Sequence, residues 1–480
     1  MWEIYTDPRI LLNRLYILIY HSANNRIQSL VRLILNDAPG KRCGGFYMEN
    51  THRDIIVVGA GMAGLLIAFY LQQQGRNVLV LEAAEIASGQ TERTTAKITS
   101  QHGIKYSWLI DKVGVEEARL YAQANETAVR EYEKLVWENG IDCGFERVSS
   151  YLYTLQDEEL LEREAKAAAF LGIDAAFTRE TELPFEVKGA VCFRKQAQFD
   201  PPELIRRIAR KLEIWEHTKV TAVKGNSVFT EAGELTADKI VIATHYPVLN
   251  VPGFYFLRQH QERSYVLALS GCKPIQGIYY SADKGGFSFR QAGEYLLLGG
   301  SACRTGQNRD GKAFERLSEA AGQYFPGARE EVRWAAQDCM PHDGIPFIGR
   351  YSMFTPQLYV ATGFQKWGMS TSMVAAMILR DEICGMGNPY AEVFCPQRFH
   401  FRASVGNLLT DVGMSVRGLA GGLFGRPRCS HMGCKLSWNP EENSWDCPCH
   451  GSRFDKDGKL LDNPAKKSVE SKGLSQTEKL

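Results

Sequence analysis

Beyond residue 47 the apolar positions follow two patterns, short unbroken runs and longer stretches with a helical period. Arg53-Asp-Ile-Ile-Val-Val58 is a β-branched run that stops at Gly59, and Asn77–Leu81 is a second short run that ends at Glu82. Both have the length and composition of buried strands. Leu65–Gln74, between them, is apolar over a helical length and closes at Gly75. Glu116–Trp137 and Asp157–Leu171 are rich in Ala, Glu and Leu at helical spacing, and Pro201–Leu212 reads as a further helix. Strand patterns return at Ser264–Ser270, Gly277–Ser281 and Tyr295–Leu298. This order predicts an α/β fold, a Rossmann-type nucleotide domain interleaved with an α+β substrate domain. The expected segments are about 50–105, 200–250 and 340–395 for the nucleotide domain, and about 106–199 and 251–339 for the substrate domain.

Toward the C-terminus the pattern breaks. Gly418-Leu-Ala-Gly-Gly-Leu-Phe-Gly425 and the lack of a strand run in Phe401–Arg428 make 401–425 a Gly-rich linker. A small β/loop module at 426–468 and a Lys/Ser-rich solvated tail at 469–480 follow. At the other end, Ile10–Tyr20 is too short and polar to span a bilayer, which takes about twenty apolar residues. Glu3, Asp7 and the absence of a small-residue cleavage site argue against a signal peptide. Residues 1–47 are therefore expected to be a non-core extension ahead of an alternative start at Met48, with an amphipathic surface helix as the rival.

Composition adds bounds. A chain of 480 residues with 44% apolar content supports two or three cores, so the main body is placed at 48–400. A net charge of +1 provides no bulk attraction to nucleic acid or an anionic membrane. Eight of the twelve cysteines are scattered before residue 401 without a regular framework, as expected of buried thiols in a cytoplasmic protein.

Two motifs carry chemistry. Gly59-Ala-Gly61-Met-Ala-Gly64 follows a strand, opens a helix, and is followed by a second strand ending in the acid Glu82. That is the full context of a dinucleotide fingerprint. Gly59 permits the tight turn, Gly61 lets backbone approach a pyrophosphate, and Gly64 lets helix and strand pack closely, while Glu82 is placed to accept from a ribose. The helix N-terminus offers free N–H groups to phosphate. The motif alone leaves NAD and FAD open.

The second motif is Cys429-Ser-His431 and Cys447-Pro-Cys-His450, with Cys434 and Cys449 embedded. Two thiolates and two imidazoles suit a Rieske [2Fe–2S] cluster or a structural zinc ion. The separate loops for each Cys–His pair, and the two surplus cysteines, favour the cluster. The string CSHMGCKLSWNPEENSWDCPCHGSRFD resembles the two cluster-binding loops of Rieske proteins. The resemblance implies Cys429 and Cys447 on one iron, His431 and His450 on the other, and a Cys434–Cys449 disulfide. It also implies that Phe454 stands where high-potential members carry a tyrosine, placing the potential in the lower to middle part of about −150 to +300 mV.

Residues 50–400 resemble the D-amino-acid oxidase/glycine oxidase superfamily, which decides for FAD. The resemblance runs through Ser88–Lys97, Lys219–Val223, Ala237–Pro247, Asp343–Gly349 and Tyr359–Ser370. It implies that Thr91 and Thr95 wrap the flavin side of the cofactor and that Val220 meets adenine through its backbone. It places Thr244 in a later strand of the nucleotide domain. Gly344, Gly363, Gly368, Met369 and Ser370 belong to the C-terminal flavin signature, where a helix from Met369 to Cys384 starts at the flavin. Where amino-acid oxidases place a carboxylate-clamping Arg, this chain has Asp338. Arg290 is the alternative cation, and Lys97, His102 and His245 fall near the flavin. No general base is assigned; Arg290, Lys97 and His102 are the catalytic candidates, each read first as a structural group.

The expected function is a flavin/iron–sulfur oxidoreductase, a dehydrogenase before an oxidase. It would move electrons between a small amine- or amino-acid-like substrate, FAD, the cluster and a protein electron-transfer partner. An oxidase with a structural cluster and a redox-sensing binding protein are the alternatives. No nucleic-acid partner and no transmembrane segment are expected. An oxygenase is disfavoured because no 2-His-1-carboxylate set is recognisable.

Overall fold

The computed structural model describes residues 52–424 and 427–470; the expected N-terminal extension 1–47 and most of the tail lie outside the described residues. The β-branched run becomes the strand His52–Val58, which pairs in parallel with Val78–Leu81 on one side and Gly233–Ile242 on the other. An eight-stranded sheet results, with Leu358–Thr362 and Glu213–Trp215 extending the parallel core. Ile56 and Val58 face one side and Ile55 and Val57 the other, all buried, because helices and a second layer cover both faces. Met62–Gln73 is apolar all round and buried from Met62 to Leu71, lying between this sheet and the helix Gly368–Ile383. An amphipathic helix would leave one face wet; this one has none to leave.

A second sheet of nine strands runs Arg329–Pro341, Gln259–Ser270, Tyr295–Arg304, Ser288–Ala292, Ile278–Ser281, Glu146–Thr154, Gly189–Gln198, Lys97–Ile98, with Ala175–Thr178 also on Gly189–Gln198. It is mostly antiparallel and supported by the helices Val115–Glu138 and Glu158–Phe170, the latter capped by Asp157 accepting from the Leu160 amide at 3.0 Å. The chain crosses between the two sheets repeatedly, so neither is contiguous in sequence.

The segment expected as a Gly-rich linker, 401–425, is helical through its described residues. Residues Phe401–Phe424 form one helix. Glycine lowers helix propensity, which is why the pattern reads as a break, yet here its small size is what packing demands. A Cβ on Gly418 would lie 2.3 Å from Cys449 Sγ, and one on Gly422 2.1 Å from the Gly433 carbonyl oxygen. The helix reaches the cysteine loops only because these positions have no side chain. The module beyond it is a four-stranded antiparallel sheet, Ser437–Asn439, Ser444–Asp446, Arg453–Asp455 and Leu460–Asp462, around a core of Trp445, Leu436 and Phe454.

Candidate functional site

At the C-terminal ends of the parallel strands lies a cavity of about 1140 Å³. Gly59, at φ +107, makes the turn; a Cβ there would meet the Ala243 carbonyl at 2.6 Å, and one on Gly64 would meet the Gly59 carbonyl at 1.9 Å. Only glycine fits either position. Glu82 holds the turn by accepting from the Ala60 amide (2.8 Å) and the Ala84 amide (2.9 Å), and Thr91 Oγ1 accepts from the Met62 amide at 3.0 Å. Of the expected cofactor residues, Gly59, Gly61, Glu82, Thr91, Thr95, Val220, Thr244, Gly368 and Met369 line the cavity. Gly64, Gly344, Gly363 and Ser370 do not line it. The bare backbone at Gly59–Gly61, a helix N-terminus and the acid Glu82 together fit a dinucleotide.

The catalytic candidates separate. Arg290 is buried, donates to the Thr95 carbonyl and, at 3.0 Å, to Gln198 Oε1, and does not line the cavity. It braces the segment carrying Thr95. His102 is also buried, held by Tyr121 OH (2.7 Å) and the Thr99 carbonyl (2.8 Å) and stacked on Trp367, outside the cavity. Burial and Lys105 keep its imidazole neutral. Lys97 does face the cavity, with the Tyr280 ring 5.9 Å from its Nζ. Burial first, then the cations Arg290 and Lys366, pull its ammonium down to about 7. Asp338 is paired rather than bare, since Lys366 Nζ lies 3.4 Å from it, 3.4 Å from Glu262 and 2.7 Å from Ser264 Oγ. Lys366, Tyr280, Gln337 and Asn463 also line the cavity, and no local sequence signal marked them.

The two cysteine loops are built alike. The amide of Cys429 donates to the Cys434 carbonyl and that of Gly433 to the Cys429 carbonyl; Cys447, Ser452 and Gly451 repeat the arrangement. Gly433 (φ +82) and Gly451 (φ +87) supply the left-handed residue each loop requires. Cys447 beside it, together with burial, pushes the Cys429 thiol well up. His431 and His450 stand perpendicular with ring centroids 5.0 Å apart. Both Nδ1 atoms are buried without a hydrogen-bond partner, and burial keeps both rings neutral, the state in which imidazole binds metal. A thiol pair and an imidazole pair with orphaned nitrogens fit a [2Fe–2S] group with two Cys and two His. Cys434 and Cys449, expected to form a disulfide, are both free thiols in this structure, and the sulfurs of Cys434, Cys447 and Cys449 lie within 4.8 Å of one another.

This module sits directly on the body. Gln261 Nε2 donates to the His450 carbonyl (2.8 Å), and Gln337 Nε2, from the cavity wall, to the Gly451 carbonyl (2.8 Å). Asn463 Nδ2 donates to the carbonyls of Thr244 and Tyr246, and Asn250 Oδ1 lies 3.0 Å from His431 Nε2. Arg304 donates to the carbonyls of Pro448 and Cys449, both at 2.8 Å, and pairs with Asp411 of the long helix. Asp411 Oδ2 also meets His342 Nε2 (2.6 Å) and His260 Nδ1 (3.0 Å). Two histidines and a carboxylate thus do converge, contrary to the sequence reading. With Arg304 on the other oxygen, the group is an ion-paired brace. Burial alone would raise the Asp411 carboxyl; the histidines and Arg304 win and hold it far below its ordinary value.

Comparison with known proteins agrees with both sites. Residues 54–382 match the family of FAD dependent oxidoreductases, and 425–472 match the Rieske [2Fe-2S] domain. A Bacillus subtilis protein described as a Rieske 2Fe-2S iron-sulfur protein, YhfW, is 31% identical over 88% of this chain and 93% of its own length. The cytochrome b6-f complex iron-sulfur subunit 1 of a Nostoc species is 51% identical over 8% of this chain and 23% of its own. Among solved structures, glycine oxidase from Geobacillus kaustophilus aligns with TM-score 0.62 at 19% identity, covering 73% of this chain and 100% of that one. L-proline dehydrogenase from P. horikoshii aligns at 0.61 and 19%, covering 73% and 98%. These two share the fold. The strand–glycine–helix cavity and the paired Cys–His loops therefore have one reading: the chain belongs to the FAD-dependent oxidoreductase family and carries a C-terminal Rieske [2Fe–2S] domain.

Proposed function

We propose that the protein is a dehydrogenase passing electrons between a small amine- or amino-acid-like substrate, FAD, the Rieske cluster and an external redox partner. One observation carries the reading: the cluster module forms part of the wall of the flavin cavity. Asp462 and Asn463 line it, and Gln337 lines it while donating to Gly451, next to His450. FAD supplies two-electron acceptance from a substrate C–H, and a [2Fe–2S] centre supplies one-electron exchange.

The remaining work falls to the chain. In this reading Gly59, Gly61 and the Met62–Gln73 N-terminus hold the pyrophosphate, Glu82 the ribose, and Val220 the adenine end. Thr91, Thr95, Thr244, Gly368 and Met369 enclose the rest, while Gly64, Gly344, Gly363 and Ser370 shape the backbone behind. Cys429, Cys447, His431 and His450 hold the cluster. Anaerobic addition of amines and amino acids, followed by flavin absorbance and cluster EPR, tests the relay. Cluster reduction trailing flavin bleaching is the expected course. Flavin bleaching with a silent cluster, and rapid peroxide formation in air, would instead identify an oxidase.

Lys97 is the group placed to take the ammonium proton of an incoming amine. Because its folded value lies near 7, below the ordinary lysine value, the neutral base form predominates above about pH 7 and is lost below it. We expect kcat/KM to rise with pH through about 7 and then level. Lys97→Met should remove that limb and lower kcat/KM about a hundredfold or more. A variant that keeps the wild-type limb would exclude Lys97 as the base.

A further inference from the structure

Exposed large apolar side chains are not scattered over this molecule. Among the described residues, ten of eighteen belong to the helix Phe401–Phe424 and its lead-in, the turn 251–257, and Met432 beside the cluster ligand His431. Leu409 (68% exposed), Val412, Val416 (62%) and Leu419 recur on one face of the helix. The opposite face, with Asp411, Gly418 and Gly422, is buried against the body and the cysteine loops. Phe256 packs edge-on against both His431 and His450, and its neighbours Phe254 (48%) and Leu257 (51%) point outward. The turn packs against the helix as well as against the two histidines, so helix, turn and histidine pair form one continuous surface. A contiguous apolar surface of this kind marks an interaction site.

The charges choose the occupant. The exposed face of the helix carries Arg402 and Arg417 and no acid, because Asp411 is turned inward to His260, His342 and Arg304. A two-fold contact between copies through this face would bring like charges together. Arginines beside Leu, Val and Phe suit a bilayer instead, where their stems lie along the apolar surface and their guanidinium groups reach anionic headgroups. No helix among the described residues is long and apolar enough to cross a membrane. The near-zero charge of the whole chain does not weaken the argument, since attraction within a Debye length depends on the charges of this face. We propose that this face binds an anionic lipid bilayer, with the helix lying in the interface and the histidine edge of the cluster site turned toward the lipid.

Vesicle flotation of the full chain tests it, and the readout is independent of any electron transfer. Vesicles of equimolar phosphatidylglycerol and phosphatidylcholine should bind the protein at low salt, and neutral phosphatidylcholine vesicles should bind it far less. Leu409→Glu with Val416→Glu should lower binding about tenfold per residue while visible spectra report unchanged flavin and cluster. Arg402→Glu with Arg417→Glu should remove the preference for anionic lipid and the salt dependence. Equal binding by wild type and the apolar double variant would overturn the proposal. So would absence of wild-type binding at low salt. A dimer that the double variant splits would assign the face to a second copy, and a variant-sensitive complex with an acidic protein in the absence of vesicle binding would assign it to that partner; either overturns the lipid assignment.

Discussion

Arg453→Met is expected to release the cluster module from its folded state at a cost of about 3–5 kcal/mol. Arg453 is fully enclosed and its guanidinium meets three carboxylates: Glu442 at 2.9 Å, Asp446 at 3.0 Å and Asp462 at 3.1 Å. Glu442 also binds Arg263, a buried cation of the body, at 3.0 Å through Nε. Removal of Arg453 leaves Asp446, itself completely buried, without its cation. The consequence is uneven across the chain. Iron should be lost and 427–470 should become sensitive to protease, while the flavin cavity's strand–glycine–helix core stays intact.

The pH dependence of that loss has a definite sign. Burial pushes the carboxyls of Glu442 and Asp462 upward, but Arg453 and Arg263 overcome it and hold both below their ordinary values. Groups depressed by folding contribute stability that is complete above their unfolded values, near 4, and is lost as pH falls through the folded values. The gap between wild type and Arg453→Met should therefore hold from neutral pH down to about pH 4 and narrow below it. Limited proteolysis of 427–470 across a urea series, which needs no cluster, measures it. A gap below about 1 kcal/mol at pH 7 would mean that the network is a screened surface feature.

The second large effect is expected at Gly64→Val. Even the first added carbon would sit 1.9 Å from the Gly59 carbonyl oxygen and 3.0 Å from the Gly59 carbonyl carbon. Backbone cannot yield as a flexible side chain can, so Met62–Gln73 must shift off the sheet and its N-terminus away from the phosphates. The variant should purify without flavin, with affinity reduced at least about a hundredfold, read from the ratio of visible to protein absorbance and by flavin titration. Gly75→Ala is the control. It has positive φ but nothing within 4 Å, so it should retain flavin and cost only about 1 kcal/mol. Flavin retained by Gly64→Val would require another phosphate cradle.

Much of this site is legible in the residues because its chemistry demands fixed types at fixed spacing. Gly59, Gly61 and Gly64 serve one turn, and Cys429-x-His431 and Cys447-x-x-His450 each lie within a single loop. The strands and the long helices are legible for the same local reason: period and length are properties of adjacent residues. The helix Phe401–Phe424 shows where that reasoning stops. Glycine normally weakens a helix, and nothing in Gly418-Leu-Ala-Gly-Gly422 discloses a cysteine sulfur waiting against it. The same holds for the catalytic candidates. Arg290, His102 and Lys97 look equivalent in sequence, but only Lys97 faces the cavity.

By itself the sequence located the dinucleotide fingerprint, the paired Cys–His loops and most of the elements that carry them, because each depends on contacts within one turn, strand or loop, while the choice of FAD came from the resemblance of residues 50–400. The tertiary structure alone decided that the sites share a wall. That contact joins Gln261 and Gln337 to the 450–451 loop and Thr244 to Asn463, pairs far apart along the chain. Such hydrogen bonds leave no periodic trace, since the partners become neighbours only when two sheets and a docked module have closed around them.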